Sequence, residues 1–268
     1  MIATDIVDGL KRFNPKAIAF WGSYGLGLND KYTHDVDITV YVTKLPSKNS
    51  RQRLLGELSE RSLNLPYGGD FFIRDKIYEI TFILSKDIEK KVKSLKEGDS
   101  TVENDVAVFV YETKIIYDTG WLKLHKSKIR VYPQALFERN LKQNLLLAFR
   151  KIHHHNRALN KRKQPIWAEY VINRGINYLI RTIFALNKTY YGKDKWIENQ
   201  MSKFKIKPRN FEKNITQLLK TRDMQLYKNL VKDVFDLCKK YYPKESDSVF
   251  QIDKQLQKID AQAELRNQ

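Results

Sequence analysis

Apolar positions recur along the chain at two different periods, and the change from one to the other divides it. Ile2, Ile6, Leu10 and Phe13 are spaced as on one face of a helix, which predicts an amphipathic opening helix over residues 2–13, stopped by Asn14-Pro15. Ala17-Ile18-Ala19-Phe20-Trp21 is a short apolar run of strand length that ends at Gly22. Residues 36–43, Val-Asp-Ile-Thr-Val-Tyr-Val-Thr, alternate and are rich in β-branched side chains, so they read as a strand. A helix is expected over 48–64, closed by Pro66, and then two strands, Asp70 to Arg74 and Ile77 to Leu84, joined by a turn at Asp75-Lys76. Residues 86–97 read as a charged helix, 101–112 suit either a helix or a strand, and Lys114 to Tyr117 reads as a short strand.

After Val131-Tyr132-Pro133 the strand signals fade. Leu136, Phe137, Leu141, Leu145, Ala148, Phe149 and Ile152 fall at helical spacing across 134–160, and a second such pattern runs over 166–190. Further helices are expected near 208–221, 224–241 and 248–265. The order of elements predicts an α/β (α+β) fold: an N-terminal domain over 1–128 with a short mixed sheet, followed by a C-terminal α-helical bundle over 129–268.

Composition narrows the class. With 42% hydrophobic and 30% charged residues the chain is neither disordered nor fibrous. The single cysteine, Cys238, excludes a disulfide framework and a multi-cysteine zinc site. No apolar run approaches the roughly 20 residues that span a bilayer. Met1-Ile2-Ala3-Thr4-Asp5 lacks the basic start and apolar stretch of a signal peptide, so a cytoplasmic location away from membranes is expected. Charge is unevenly shared: residues 1–128 hold 20 Lys and Arg against 18 Asp and Glu, whereas residues 129–268 hold 29 against 13, a net of +16. Such a half attracts polyanions, or is simply a solvated basic surface.

Chemistry is concentrated in Phe20-Trp21-Gly22-Ser23-Tyr24-Gly25-Leu26-Gly27 and His34-Asp35-Val36-Asp37-Ile38. Glycines allow a close backbone approach to phosphate oxygens, and the Ser23 hydroxyl adds a donor. After a spacer of eleven residues, Asp35 and Asp37 stand two apart on a strand and so share a face. Paired carboxylates repel unless a cation lies between them, and hard oxygen ligands suit Mg²⁺. Glu79, the acid inside the apolar strand Ile77-Tyr78-Glu79-Ile80-Thr81-Phe82, is the candidate third ligand, with Asp70 as the other choice.

This Gly-Ser, spacer, Asp-x-Asp and later acid resembles the nucleotidyltransferase superfamily with the DNA polymerase β-like fold. The resemblance implies that Gly22 and Ser23 hold a nucleoside triphosphate such as ATP, and that Asp35, Asp37 and Glu79 bind two Mg²⁺ ions as the catalytic carboxylates. The third acid in the family is usually Asp, so Glu79 is a departure. Arg174-Gly175, Phe184-Ala185-Leu186-Asn187, Tyr190-Tyr191 and Lys195-Trp196 look like the helical domain of bacterial nucleotidyltransferases related to enzymes that modify aminoglycosides and lincosamides. That likeness implies cationic contacts from Arg174 and Lys195 to the triphosphate or pyrophosphate. Asn187 as a helix cap and Trp196 as core are the plainer alternatives.

The expected activity is Mg²⁺-dependent transfer of a nucleoside monophosphate to a hydroxyl of a small acceptor, with pyrophosphate leaving. Transfer to RNA (a tRNA end) or protein, and a non-catalytic role as a nucleotide-binding or toxin-regulating partner, are the alternatives, and the basic second half favours RNA among them. A cationic aminoglycoside suits that basic half poorly. Glu79 is the expected general base, with Glu169 as a second candidate. His153-His154-His155 reads as a basic, solvated helix face, His34 as a turn residue, and Cys238 as core. Lys203, Lys205, Lys207 and Arg209, interleaved with Phe204 and Phe211, are either an RNA contact or a linker.

Overall fold

The computed structural model describes residues 4–29, 31, 33–56, 61–65, 68–73 and 76–265. Two compact units, Met1–Pro133 and Gln134–Gln268, divide the chain.

The first unit is built on a six-stranded mixed sheet in the order β3-β4-β5-β2-β1-β6. Its strands are β1 (Ala17–Phe20), β2 (Asp35–Val42), β3 (Arg61–Leu65), β4 (Gly68–Ile73), β5 (Lys76–Leu84) and β6 (Lys114–Asp118). β2 and β5 run parallel, and the other neighbours are antiparallel. Alternation along β2 explains its place. Val36, Ile38, Val40 and Val42 enter one core cluster with Ile18 and Phe20 of β1 and with Tyr78, Ile80 and Phe82 of β5. Helix α1 (Thr4–Lys11) covers that face with Ile6 and Leu10. The other face of β2 carries Asp35, Asp37, Thr39 and Tyr41.

Tyr41 is fully buried there, and its hydroxyl donates to the Phe109 carbonyl while its ring packs 5.3 Å from Trp121. Phe109 lies in a run that passes from a 3₁₀ turn, Ser100–Val102, through α5 (Glu103–Val106) to a π-helical turn, Ala107–Tyr111. Residues 101–112, which suit helix or strand by sequence, are therefore helical. Trp121 opens α6 (Trp121–Lys128), which sequence periodicity did not mark. Helix α4 (Ser85–Lys96) buries Ile88, Val92 and Leu95 at helical spacing.

The helix expected over 48–64 is shorter. Helix α3 covers Lys48–Gly56, and Arg61–Leu65 forms β3 against β4. Gly56 is a poor helix interior residue, and Arg61-Ser-Leu-Asn-Leu alternates polar with apolar, which suits a strand. Pro66 and the expected turn at Asp75 lie outside the described residues.

The second unit is helical: α7 (Gln134–Asn156), α8 (Pro165–Leu186), α9 (Ile197–Met201), α10 (Phe211–Thr221), α11 (Met224–Tyr241) and α12 (Pro243–Leu265). Pro165 starts α8 where its missing N–H costs nothing, and Asp223 caps α11 by accepting from the Gln225 and Leu226 amides. The last helix starts at Pro243, ahead of the expected 248. Tyr227, Leu230, Val231, Val234 and Cys238 form the buried face of α11. Opposite them, a Cβ on Gly175 of α8 would lie 2.3 Å from the Tyr227 hydroxyl oxygen, so glycine is what lets α8 and α11 approach. No helix among the described residues is long and apolar enough to cross a membrane.

Candidate active site

The carboxylates expected to act together are set by strand register. Asp35 and Asp37 lie two apart on β2, and the parallel pairing with β5 puts Asp37 opposite Glu79 and Asp35 opposite Ile77. Across the next ladder Asp70 stands opposite Glu79. On the other side, the Trp21 amide donates to the Asp37 carbonyl at 3.1 Å, which extends the β1 ladder by one step and brings the chain into the Gly-Ser segment beside Asp37. Asp37 is 2% exposed and Ser23 3%, whereas Asp35 and Glu79 are half-buried.

The segment after β1 is more ordered than a glycine turn. Gly22–Leu26 forms a short helix, α2, ended by Gly27 in the left-handed conformation at φ 68°, with the Leu28 amide donating to the Ser23 carbonyl at 2.8 Å. Gly22 has φ +62°, and a Cβ built there would lie 2.0 Å from Asp37 Oδ2 and 3.1 Å from its Cγ. Both the backbone angle and the carboxylate beside it demand glycine. Gly25 is tight as well, since a Cβ would lie 2.7 Å from the Glu112 carbonyl oxygen. Trp21 packs on Phe109 at 5.2 Å, so an aromatic pair borders the segment.

Among the described residues, no three His, Cys, Asp or Glu side chains are drawn together closely enough to hold a metal ion. The donor set is nevertheless of the right chemistry: Asp35, Asp37 and Glu79 offer only hard carboxylate oxygens, from two paired strands.

The remaining expected residues lie elsewhere. Arg174 is on the exposed face of α8, where it donates to the Tyr178 hydroxyl at 3.3 Å and stands 5.7 Å from the Tyr170 ring. Lys195 lies in the 3₁₀ turn Asp194–Trp196, its ammonium 5.3 Å from the Trp196 ring. Both belong to the second unit, whereas Gly22, Ser23, Asp35, Asp37 and Glu79 belong to the first. Glu169 pairs with Arg222 at 2.9 Å, so that carboxylate serves a surface ion pair. Asn187 closes α8, donating to the Ile183 and Ile206 carbonyls at 2.8 Å and accepting from the Ile206 amide at 3.1 Å. Phe204 packs edge-on against Phe184 at 4.8 Å, and Lys207 donates to the Met201 carbonyl and pairs with Glu212. The lysine-rich 203–209 stretch is thus a tied connection between α9 and α10. His34 is exposed and accepts the Ile77 amide through its backbone carbonyl.

The triple histidine is not a uniformly solvated face. His155 is 8% exposed, and burial, with Lys228 nearby, lowers its pKa against the opposing pull of Glu169. Sequence reasoning also missed a network on α8: the Arg181 Nε donates to Asn177 Oδ1 at 2.8 Å, Asn177 donates to the Tyr191 hydroxyl at 3.1 Å, and that hydroxyl donates to Asp194 at 2.8 Å. The Arg181 guanidinium stacks 3.9 Å from the Tyr191 ring.

Comparison with known proteins adds three findings. A family model described as a domain of unknown function (DUF4037) matches residues 100–197. No curated protein matches the chain. Among solved structures, the chain is similar to nucleotidyltransferase-type proteins. One is a nucleotidyltransferase-like protein from Exiguobacterium sibiricum 255-15, at 11% identity and a TM-score of 0.45, covering 89% of this chain and 73% of that one. Another is the spectinomycin adenyltransferase AAD(9) from Enterococcus faecialis, solved with ATP and spectinomycin, at 14% identity and a TM-score of 0.34, covering 85% of this chain and 97% of that one.

Proposed function

We propose that the chain is a nucleotidyltransferase that moves a nucleoside monophosphate, AMP from ATP, onto a hydroxyl of a small acceptor and releases pyrophosphate. The observation that carries this reading is the close fit of Gly22 against the Asp37 carboxylate, in a row where Asp37 stands opposite Glu79. A surface acid on an ordinary strand needs no glycine beside it. The packing of Gly22 beside Asp37 supports a reading in which a polyphosphate on the Gly22-Ser23 backbone lies next to a cation on the carboxylate.

In this proposal Ser23 donates to the phosphates, and the backbone at Gly22 comes close to them. Asp35 and Asp37, with Glu79 as the third, would hold Mg²⁺, which when bound offsets the charge of the phosphates and lowers the pKa of the acceptor hydroxyl. The acceptor oxygen forms a bond to the α-phosphorus as the α–β phosphoanhydride bond breaks, and the hydroxyl proton passes to Glu79. The chain contributes chiefly position and electrostatics. The net of +16 over residues 129–268 favours an anionic acceptor over a cationic one, and RNA is the second reading on that ground.

The test is pyrophosphate release from each nucleoside triphosphate with Mg²⁺, with a panel of hydroxylated small molecules or bulk tRNA as acceptor, for wild type, Asp37→Ala and Glu79→Gln. Release by wild type that Asp37→Ala abolishes supports the reading, and dependence on tRNA selects the second acceptor. Wild-type turnover by Asp37→Ala refutes it.

A further inference from the structure

We propose that the first unit carries, in the groove between α4 and α6, a binding site for a small aryl carboxylate. The groove holds about 510 Å³, with Val92, Lys93 and Lys96 of α4 on one side and Trp121, Leu124 and Lys128 of α6 on the other. That volume is in the range of small-molecule sites. One end is tied across the groove, where Trp121 Nε1 donates to the Glu89 carboxylate at 2.7 Å. The same indole packs 5.3 Å from the Tyr41 ring and 4.6 Å from that of His125, which is 4% exposed. His125 Nδ1 in turn donates to the Trp121 carbonyl at 2.8 Å. The aromatic wall is therefore fixed before any ligand arrives.

From that tie the cations lie in one direction. Lys93 and Lys96 follow Glu89 by four and seven residues, and Lys128 follows Trp121 by seven. Seven residues of helix rise about 10 Å. None of the three ammoniums meets a carboxylate among the described residues. A lysine in a last turn offsets the helix dipole on any surface. What marks this face is the apolar space that the lysines border, floored by Val92 at 2% exposure and walled by Leu124, which stays 52% exposed. A bare inorganic anion would leave those walls in water, so the charge has to sit on an apolar body. Glu89 at one end and the lysines at the other orient such a ligand: rings against Trp121 and Leu124, carboxylate toward Lys96 and Lys128. The groove is separate from the acids of β2. Tyr41, which Trp121 touches, lies four residues along that strand from Asp37, about 13 Å at the rise of a strand. A chain inactive in nucleotidyl transfer would still bind the carboxylate, so the two readings fail separately.

The full chain is titrated with 2-naphthoate at low ionic strength and without nucleotide, with binding read by calorimetry and the folding of each variant checked by its melting temperature. Wild type binds 2-naphthoate, and the neutral 2-naphthamide binds about tenfold more weakly or not at all. Acetate, which has the charge without the rings, does not bind. Lys96→Gln and Lys128→Gln, both exposed positions, each weaken binding about threefold, and the double variant about tenfold. Leu124→Asn also weakens it. Lys90→Gln removes an exposed charge of α4 outside the groove and leaves binding unchanged. No binding by wild type, equal binding of the amide, or full affinity in the double variant overturns the proposal. So does octanoate binding as tightly as 2-naphthoate, which removes the preference for rings, or a poly-glutamate peptide binding where 2-naphthoate does not, which makes the face a protein contact.

Discussion

Gly22→Ala separates a backbone effect from a steric one. At φ +62° an alanine pays the left-handed penalty of about 1–2 kcal/mol. Its Cβ would also lie 2.0 Å from Asp37 Oδ2, a distance no real Cβ tolerates, so the carboxylate or the segment must shift. Overpacking of this kind costs about 1–3 kcal/mol. The expected total is therefore about 2–5 kcal/mol. Gly27→Ala is the internal control. Gly27 has nearly the same angle, φ +68°, but nothing lies within 4 Å of its Cβ, so only the backbone penalty applies. Asp37→Ala supplies the second control: it deletes the clashing Cγ and Oδ2 and leaves the Asp37 Cβ at 3.6 Å, ordinary contact. Urea denaturation followed by tryptophan fluorescence should give a larger loss for Gly22→Ala than for Gly27→Ala. In the Asp37→Ala background the Gly22→Ala cost should shrink to that of Gly27→Ala, a coupling of about 1–3 kcal/mol. Equal costs for Gly22→Ala with and without Asp37 would refute the claim that the segment and the acid are packed as one unit.

Three further outcomes are expected. Lys126 donates to the Tyr111 carbonyl at 2.9 Å and the Thr113 carbonyl at 2.6 Å, so Lys126→Met should cost about 1–3 kcal/mol in thermal or urea unfolding, because two carbonyls lose a charged donor. Gly175→Ala should overpack against Tyr227, whose hydroxyl also donates to the Ala148 carbonyl at 2.8 Å, and lower stability by about 1–3 kcal/mol or more; Tyr227→Phe in the same protein should relieve part of that loss, since the oxygen at 2.3 Å is gone while Cζ remains at 2.6 Å. Burial pushes the Cys238 thiol from an ordinary 9.0 up to about 12, so it should resist alkylation at pH 8.5 until urea is added. The unfolded thiol ionises first, so this contribution to stability is whole below about pH 9 and is lost as pH rises toward 12; a Cys238→Ala variant should show a shallower decline in that window.

What the sequence made legible was carried by short-range period. The alternation of Val36, Ile38, Val40 and Val42 with Asp35, Asp37, Thr39 and Tyr41 gave both the strand and the shared face of the acids, because a strand's period is two whatever packs on it. Pairing Glu79 with Asp37 needed the register of β2 on β5, which no local pattern states. Helix α3 was overextended because its pattern runs past Gly56 into the short alternation of β3. Val102, Val106 and Val110 fit a helix by spacing and a strand by composition, and burial on a helical path decided between them. The burial of Lys151 was not legible, because a lysine on a basic helix reads as solvated. The signal that could have found it was a polar stripe, Asn140, Asn144, Lys151 and His155, which recurs at helical spacing and is buried throughout.

The π-helical turn Ala107–Tyr111 has a bearing on which changes of length this region accepts. Its Ala107 carbonyl takes the amide of Glu112, five residues on, at 2.8 Å, so the turn holds one residue more than an α-helix closes over. Every residue advances an α-helix by about 100°. Losing a single residue between 107 and 111 would still leave a helix, with its composition nearly intact. The helical phase of the later residues would change, however, and the Phe109 carbonyl would swing away from Tyr41 on the strand that bears Asp35 and Asp37. In this segment the number of residues carries information that their identities do not.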